Sequence, residues 1–508
     1  MTGRRDADAS TQARGAGVNL LTLIAQAAMP AFHVQLAQLL GRASYGLYVW
    51  ANTVVEFGSA VTLFGMDIAV AREVALAREA NDDARAIRAV ATGLRLVLFT
   101  GLAVTLILGF GASTIAARAH MAGVEVPLRV LTLVPIAYHA TTIFIVATQS
   151  RGVMKYDFWT RGIVQPLGLL IATTVLLRLG WGLFGAGVGV ASAMVLTTCV
   201  AAFGYSRVFS IGATLRALVT GPMDREVLKT GLPMTAIALL WSLQGRLDNT
   251  VLGATQGAEA SGAYGACMLY AITIGQMRSV FVPGLNAALP AMLIRDDRPA
   301  MNALIHRTQR WVALLTVPLL VLFAVFGRDL LTVFGKGFPD AAPALALLSV
   351  AQLLGAMSIP AQTIVVGSKR GASVVAAVAS LGTQVVLLPI LCRRYGMVGA
   401  ATASMIGMFI AQVVQQVWAY RLYGVHGFSW ALGRVYLAGL VAAVPGKVLL
   451  SILPLPPFPR FVLSVAGAAI VFVGAVVLLG LGKEEREWII SIRATLRRRL
   501  AFGRGPKA

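Results

Sequence analysis

Charge is scarce in this 508-residue chain. Only 13% of its residues are Asp, Glu, Lys or Arg and 57% are hydrophobic, whereas a soluble domain carries about 25% charged residues. A string of ordinary soluble domains is therefore excluded. Acidic groups are scarcest, 21 against 43 Lys and Arg. Long polar inserts are absent too. No segment between apolar runs reaches the roughly 50 residues of a small domain, so no soluble catalytic or nucleotide-binding module interrupts the chain. Cysteine is limited to Cys199, Cys267 and Cys392, in or beside apolar segments. They have no metal-ligand spacing and, being odd in number, form no complete disulfide framework; packing is their expected use. The pairs Gly335-Lys336, Gly446-Lys447 and Gly482-Lys483 lack the upstream glycine and following Ser/Thr of a phosphate-binding loop. ATP hydrolysis and a bound cofactor are not expected. Asp82-Asp83 and Asp296-Asp297 lie among arginines and read as solvated turns.

What is present is apolar sequence. Mean hydropathy is +0.78, and apolar runs recur from Gly15 to Leu481, each long enough for a hydrocarbon core of about 30 Å. The fold class expected is an all-α polytopic membrane protein of about fourteen transmembrane helices. Approximate spans are 15–40, 44–68, 89–112, 127–149, 157–179, 183–205, 229–253, 261–288, 308–327, 342–366, 372–392, 396–420, 430–453 and 460–481. With the N-terminus inside, 31 of the 43 basic residues fall in cytoplasmic segments. That bias orients both termini to the cytoplasm of a bacterial inner membrane. The net charge of +22 is thereby assigned to topology and membrane lipids, not to nucleic acid. The first apolar run is too long for a signal peptide, so Arg4-Arg5 reads as part of an uncleaved tail. Beyond Lys483, Trp488, Ile489, Ile492, Leu496 and Leu500 recur at helical spacing among arginines. A basic amphipathic helix on anionic lipid and a solvated charged tail are both open readings.

The chain repeats itself. Ser44-Tyr45-Gly46 resembles Ser261-Gly262-Ala263-Tyr264, with Gly46 and Gly262 216 positions apart. Gly182-Leu183-Phe184-Gly185-Ala186 resembles Gly396-Met397-Val398-Gly399-Ala400, with Gly185 and Gly399 214 apart. Six spans per repeat is an even number, so the two lobes share one orientation, a parallel repeat. The organisation expected is a tail at 1–14, a six-helix lobe at 15–206, a cytoplasmic linker at 207–228, a second lobe at 229–421, two extra spans at 430–481 and a basic tail at 483–508.

These residues carry a family resemblance over nearly the whole chain. Leu39-Leu40-Gly41-Arg42, Tyr45-Gly46-Leu47-Tyr48, Phe64-Gly65-Met66-Asp67 and Ala71-Arg72-Glu73 resemble the opening of polysaccharide-biosynthesis membrane proteins. Those are the O-antigen and exopolysaccharide lipid flippases of the multidrug/oligosaccharidyl-lipid/polysaccharide (MOP) exporter superfamily. Leu247-Asp248, Leu252-Gly253, Gly262-Ala263-Tyr264 and Pro290 resemble the family's second half. The resemblance implies two six-helix lobes around a central cavity, alternating access, and undecaprenyl-pyrophosphate-linked oligosaccharide as substrate. Partners consistent with it are H⁺ or Na⁺ as a coupling ion and polysaccharide polymerase or chain-length proteins.

Polar residues inside spans mark the candidate path, because an ionised group in hydrocarbon is costly. On the first span Asn19, Thr22, Gln26, Pro30 and His33 share one face, with Gln26 a cavity candidate. Glu56 lies mid-way along the second with Asn52, Thr53 and Ser59 beside it, and is an ion-coupling candidate. Asp67 and Arg72 are expected to pair at the end of that helix. In the seventh span Arg246 and Asp248 point to nearly opposite faces, one proposed for substrate phosphate and the other for an ion. In the eighth, Gln276, Ser279, Pro283 and Asn286 form a stripe while Arg278 points elsewhere, a second candidate cation. The structural alternative is neutralisation of each arginine by Asp248 or Glu56, or snorkelling. No catalytic or metal-binding set is identified. Rival functions are a multidrug cation antiporter, a peptidoglycan lipid-precursor flippase, and a membrane glycosyltransferase or polymerase, which short outer loops disfavour.

Overall fold

The apolar runs fold as helices, and no strand occurs among the described residues of the computed structural model, which are 28–479 except 64, 368, 369, 453 and 455. Ten helices there are long and apolar enough to cross a membrane. The elements are α1 (Ala28–Leu63), α2 (Met66–Glu79), α3 (Asp83–Arg118), α4 (Glu125–Ser150), α5 (Lys155–Arg178), α6 (Gly182–Ser206), α7 (Ile211–Thr220), α8 (Arg225–Gln244) and α9 (Leu247–Gln256). They continue as α10 (Ala258–Ile294), α11 (Arg298–Thr332), α12 (Pro339–Ala356), α13 (Ala361–Val366), α14 (Arg370–Tyr423), α15 (Trp430–Ile452) and α16 (Pro457–Leu478). The tail expected at 1–14, Gln26 and the basic segment 483–508 lie outside the described residues.

Two of these elements are pairs of helices joined at one glycine. In α1 the backbone breaks at Gly41 (φ 74°, ψ 168°) and in α14 at Gly396 (φ 54°, ψ −129°). Both lie in the left-handed half of φ space that only glycine enters cheaply. The breaks fall where the sequence ends one span and begins the next. Other spans expected to be continuous are interrupted. The seventh stops after Gln244 and restarts at Leu247, and the eighth passes through a tight 3₁₀ turn at Met277–Val280. Each interruption frees main-chain groups at membrane depth, tolerated only where protein or water can satisfy them.

The backbone punctuation recurs at the interval of the sequence repeat. Gly41 and Gly257 are 216 positions apart, and Gly182 and Gly396 are 214 apart; all four have positive φ. Asn81 (φ 53°) and Asp296 (φ 49°) are left-handed and 215 apart. Each is followed by an aspartate N-cap, Asp82 accepting from the Arg85 amide and Asp297 from the Ala300 amide. The two caps open helices of 36 and 35 residues. The paired acids read as solvated turns are thus helix starts, because an Asx side chain satisfies one of the orphaned N–H groups. Asp83 also pairs with Arg151.

α2 to α6 pack on one another, as do α8 to α14, while α15 and α16 pack against α11. There Val317 meets Val435, Ala438 and Ala442, and Gly439 admits the Val317 side chain where a Cβ would collide with it. α7 links the groups. Arg95 of α3 donates to the Ala217, Leu218 and Gly221 carbonyls at its C-terminal end, at 2.7–3.0 Å, where helix carbonyls carry negative potential. Under this linker Glu73, 2% exposed, accepts two hydrogen bonds from Arg85 at 2.6 and 3.2 Å. Arg72 donates to Thr230 of α8 at 2.9 Å; the expected Asp67–Arg72 pair does not form, because α8 brings the nearer acceptor.

α1 and α10 cross at the opposite end. Gly46 and Gly262 allow their backbones to touch, and Tyr45, Phe334 and Phe338, each no more than 1% exposed, seal the crossing. Ring centroids of Tyr45 and Phe338 lie 5.9 Å apart and those of Phe334 and Phe338 5.5 Å. Trp50 donates from its indole nitrogen to the Thr250 carbonyl at 3.1 Å. These contacts close the Gly46 end of the molecule.

Candidate functional site

Glu56 stands ten residues along α1 from the Gly46 crossing, about 15 Å at 1.5 Å per residue. Its carboxylate is paired with Arg246. Arg246 occupies the break between α8 and α9, where the backbone leaves helical φ/ψ (φ −130°). The break turns its guanidinium toward α1, and its Nε reaches Ser242 Oγ at 3.4 Å. The pair is the neutralised arrangement weighed from sequence, and it joins elements 190 positions apart. Both side chains keep about a third or more of their surface open, 35% for Arg246 and 41% for Glu56. Asn52 is half-buried one turn before Glu56, on the same face.

Asp248 faces away from this pair, as the two-residue spacing predicts. It is 2% exposed and its carboxylate is saturated by neutral donors. Tyr264 Oη donates at 2.7 Å, Ser404 Oγ at 2.8 Å and the Asn249 amide at 2.7 Å. Asn249 donates to Thr53 at 3.0 Å and accepts from Ser261 at 2.9 Å. One dipeptide therefore ties α1, α9, α10 and α14 together.

Arg278 lies in the 3₁₀ turn of α10. Its guanidinium donates to Gln362 Oε1 at 3.0 Å, and Gln362 Nε2 donates to Asn286 Oδ1 at 2.6 Å. The stripe reading separated Arg278 from Asn286, and this is corrected: both converge on Gln362. Three residues per turn in the 3₁₀ segment, instead of 3.6, rotate the faces that a regular helix would keep apart. Gln276 is exposed before the turn, with its carbonyl accepting from Ser279 Oγ at 2.6 Å. No carboxylate pairs with Arg278 among the described residues, and its Nε has no hydrogen-bond partner. Gln362, on α13 and 84 positions downstream, was not singled out from sequence. Nothing local in Pro360–Thr363 marks a partner that distant.

Asn19, Thr22 and Gln26 lie outside the described residues, and the described polar positions of the first span contact other helices or α1 itself. Tyr45 Oη lies 3.3 Å from His33 Nδ1 and Gln38 donates to the Val333 carbonyl at 2.8 Å. Gln35 reaches Thr174, and Arg42 Nε lies 3.5 Å from Glu259 Oε2.

The polysaccharide biosynthesis protein family model matches residues 35–343, more than half of the chain. No protein of curated function matches. Among solved structures, a lipid II flippase, MurJ, in an inward closed conformation superposes with a TM-score of 0.70 at 12% identity, covering 91% of this chain and 98% of that one. An inward-facing multidrug resistance MATE family transporter of the MOP superfamily gives 0.63 at 15% identity, covering 79% and 98%. A MOP superfamily transporter from Pyrococcus furiosus, described as having a binding pocket of reverse polarity, gives 0.54 at 16%, covering 80% and 98%. At such identities the likeness is one of fold. The chain belongs to the polysaccharide biosynthesis protein family and has the fold of the MOP-superfamily transporters.

Proposed function

We propose that this protein carries an undecaprenyl-pyrophosphate-linked oligosaccharide, an O-antigen, capsule or exopolysaccharide unit, across the bacterial inner membrane by alternating access. Two six-helix lobes, 15–206 and 229–421, would rock about the α7 linker, and the 214–216 interval of the backbone breaks supports that division. The Lys/Arg bias of the sequence supports cytoplasmic termini. The observation that carries the reading is Arg278, a cation within an apolar span whose hydrogen-bond partner among the described residues is the neutral amide of Gln362. A cation there invites an anion, because an unpaired charge is costly in that medium. A pyrophosphate supplies one, while the lipid tail stays in the bilayer. Arg246 is the second station, with Glu56 occupying it in the resting protein.

Direction would come from the membrane potential, worth about 2.3 kcal/mol per charge per 100 mV, aided by H⁺ or Na⁺ through Glu56. The saturated hydrogen bonding of Asp248 supports an anchoring role for it in place of ion coupling. Polymerase and chain-length proteins fit as partners that consume the product. A drug-cation antiporter on this fold would favour a surplus of carboxylates over arginines along the path, the reverse of Arg246, Arg278 and Glu56.

Deletion of the gene in its host, with mass spectrometry of undecaprenyl-linked saccharides and of surface polysaccharide, tests the proposal. Accumulated lipid-linked unit with lost surface polymer is the expected result, and plasmids encoding R246Q or R278Q should restore insertion without restoring polymer. Normal polysaccharide combined with sensitivity to cationic dyes would overturn it.

A further inference from the structure

A cluster of polar side chains inside the first helix group has no part in the substrate path described above. His139 of α4 is 6% exposed; the Ser59 main chain faces its ring, without hydrogen-bond geometry to either nitrogen. Three further buried atoms, on α1 and α5, are also unmatched: Thr62 Oγ1, Asp157 Oδ1 and Arg161 Nε. Asp157 Oδ1 and Arg161 Nε face one another at 3.9 Å, beyond hydrogen-bond range. Arg161 donates instead to Thr142, one turn from His139, at 2.8 Å. A neutral imidazole needs one donor and one acceptor contact, and leaving each buried polar atom unmatched costs about 1–3 kcal/mol. Unmatched buried polar atoms of this kind are those that a buried water commonly satisfies.

Contacts lead from the cluster in two directions. Gln149 donates to Asp157 Oδ2 at 3.1 Å and also lines an open cavity of about 420 Å³ with Asp67, Val146 and Ser150, at the Arg85 end of the molecule. On the other side the Ser59 main chain faces the His139 ring, and Ser59 Oγ donates to the Glu56 carbonyl at 2.9 Å.

We propose that His139, with Asp157 and Arg161, is a buried proton-binding site loaded through the cavity under Gln149. A proton from water forms the second N–H of the imidazole, giving imidazolium, and leaves by the same bond to water or toward Glu56. Burial opposes a charged ring, and few charges add to that opposition. α6 contributes no Asp, Glu, Lys or Arg. On α2 and α3, Glu73 and Arg85 are paired, Arg95 holds the linker and Arg72 holds Thr230. α1 contributes Glu56, α4 itself brings Tyr138, and α5 brings Asp157 and Arg161, with Arg161 the one charged group that acts directly on the ring. The consequence for Glu56 rests on the coupling role given above; the proton site does not.

The chain has five histidines, few enough to resolve singly. The full-length protein with ¹⁵N-labelled histidine is placed in lipid nanodiscs, and imidazole signals are followed from about pH 4 to 9, either side of the ordinary imidazole value of about 6.5. H139Q assigns the signal, and the other four resonances report that each variant is folded. The expected result is a His139 signal that titrates in the wild type. Its midpoint should fall in D157N, which removes an anion, rise in R161Q, which removes a cation, and hold in R161K. A ring that never protonates in wild type or R161Q would overturn the site. So would midpoints unmoved by either charge removal, or shifts of the same sign in both, which would report loosened packing. Because no substrate is present, failure here leaves the flippase reading standing, and failure of that reading leaves this result standing.

Discussion

A Cβ built on Gly262 would lie 2.8 Å from the Gly46 Cα, so α1 and α10 approach closely at these two glycines. Real Cβ atoms do not come that near a backbone, and a side chain at either position must push the helices apart. The neighbouring seal of Tyr45, Phe334 and Phe338 depends on that approach.

G46V and G262V should therefore insert normally yet hold the Gly46 end ajar. In a background with the three native cysteines replaced, A263C should resist a membrane-impermeant maleimide, since Ala263 is 0% exposed. Adding G46V should make it react. Continued protection of A263C would show that the crossing can absorb a side chain, and the closure argument would fail.

Asp248 separates an anchoring carboxylate from a transporting one. Three neutral donors hold it, and removing the acceptor strands each in the interior at about 1–3 kcal/mol. D248A should lower the thermal midpoint of the purified protein by several degrees, whereas D248N, which keeps one acceptor oxygen, should lose about half as much. Transport should follow folded protein in both. Abolished transport in fully folded D248N would return Asp248 to the ion-coupling role expected from sequence.

How far the sequence reaches is visible in these same residues. Hydropathy found the all-helical fold, with ten of the described helices long and apolar enough to span against about fourteen expected, and the left-handed Gly41, Gly257, Gly182 and Gly396 recur at the interval read from Gly46/Gly262 and Gly185/Gly399. Two-residue spacing was enough to send Arg246 and Asp248 to different environments. What stayed hidden depends on interrupted helices. A window that assumes 3.6 residues per turn cannot foresee that the Met277–Val280 turn brings Arg278 and Asn286 to one glutamine. Nor can it foresee that α8 gives Arg72 a threonine in place of Asp67. The Glu56–Arg246 pair, 190 positions apart, was one of the alternatives the sequence left open, because the rarity of each charge names possible partners without choosing between them.

Arg95 predicts the behaviour of the linker. Its three hydrogen bonds to the end of α7 are charge-assisted and worth about 1.5–3 kcal/mol each to a fully buried group, less at this half-buried position. R95M should accelerate amide hydrogen exchange across residues 211–221 while leaving α3 protected. Unchanged exchange there would mean that the Tyr205–Thr214 hydrogen bond, at 2.8 Å, suffices to hold α7.

The Glu56–Arg246 pair distinguishes a structural bridge from a phosphate station, because the two roles respond differently to exchange of the charges. A bridge needs one positive and one negative partner and is indifferent to their order. A phosphate station needs the cation on the α8–α9 break and a removable carboxylate opposite. E56Q should leave Arg246 without its resting counter-ion, so an anionic substrate should bind more tightly and leave more slowly. R246E should place two carboxylates in contact and lower both stability and export. The double exchange E56R/R246E should recover most of the stability lost by R246E, measured by thermal unfolding in detergent. Export of lipid-linked saccharide in the deletion host should stay at background in that double variant. Recovery of export together with stability would show that the pair serves assembly alone, leaving Arg278 as the single anion site of the path.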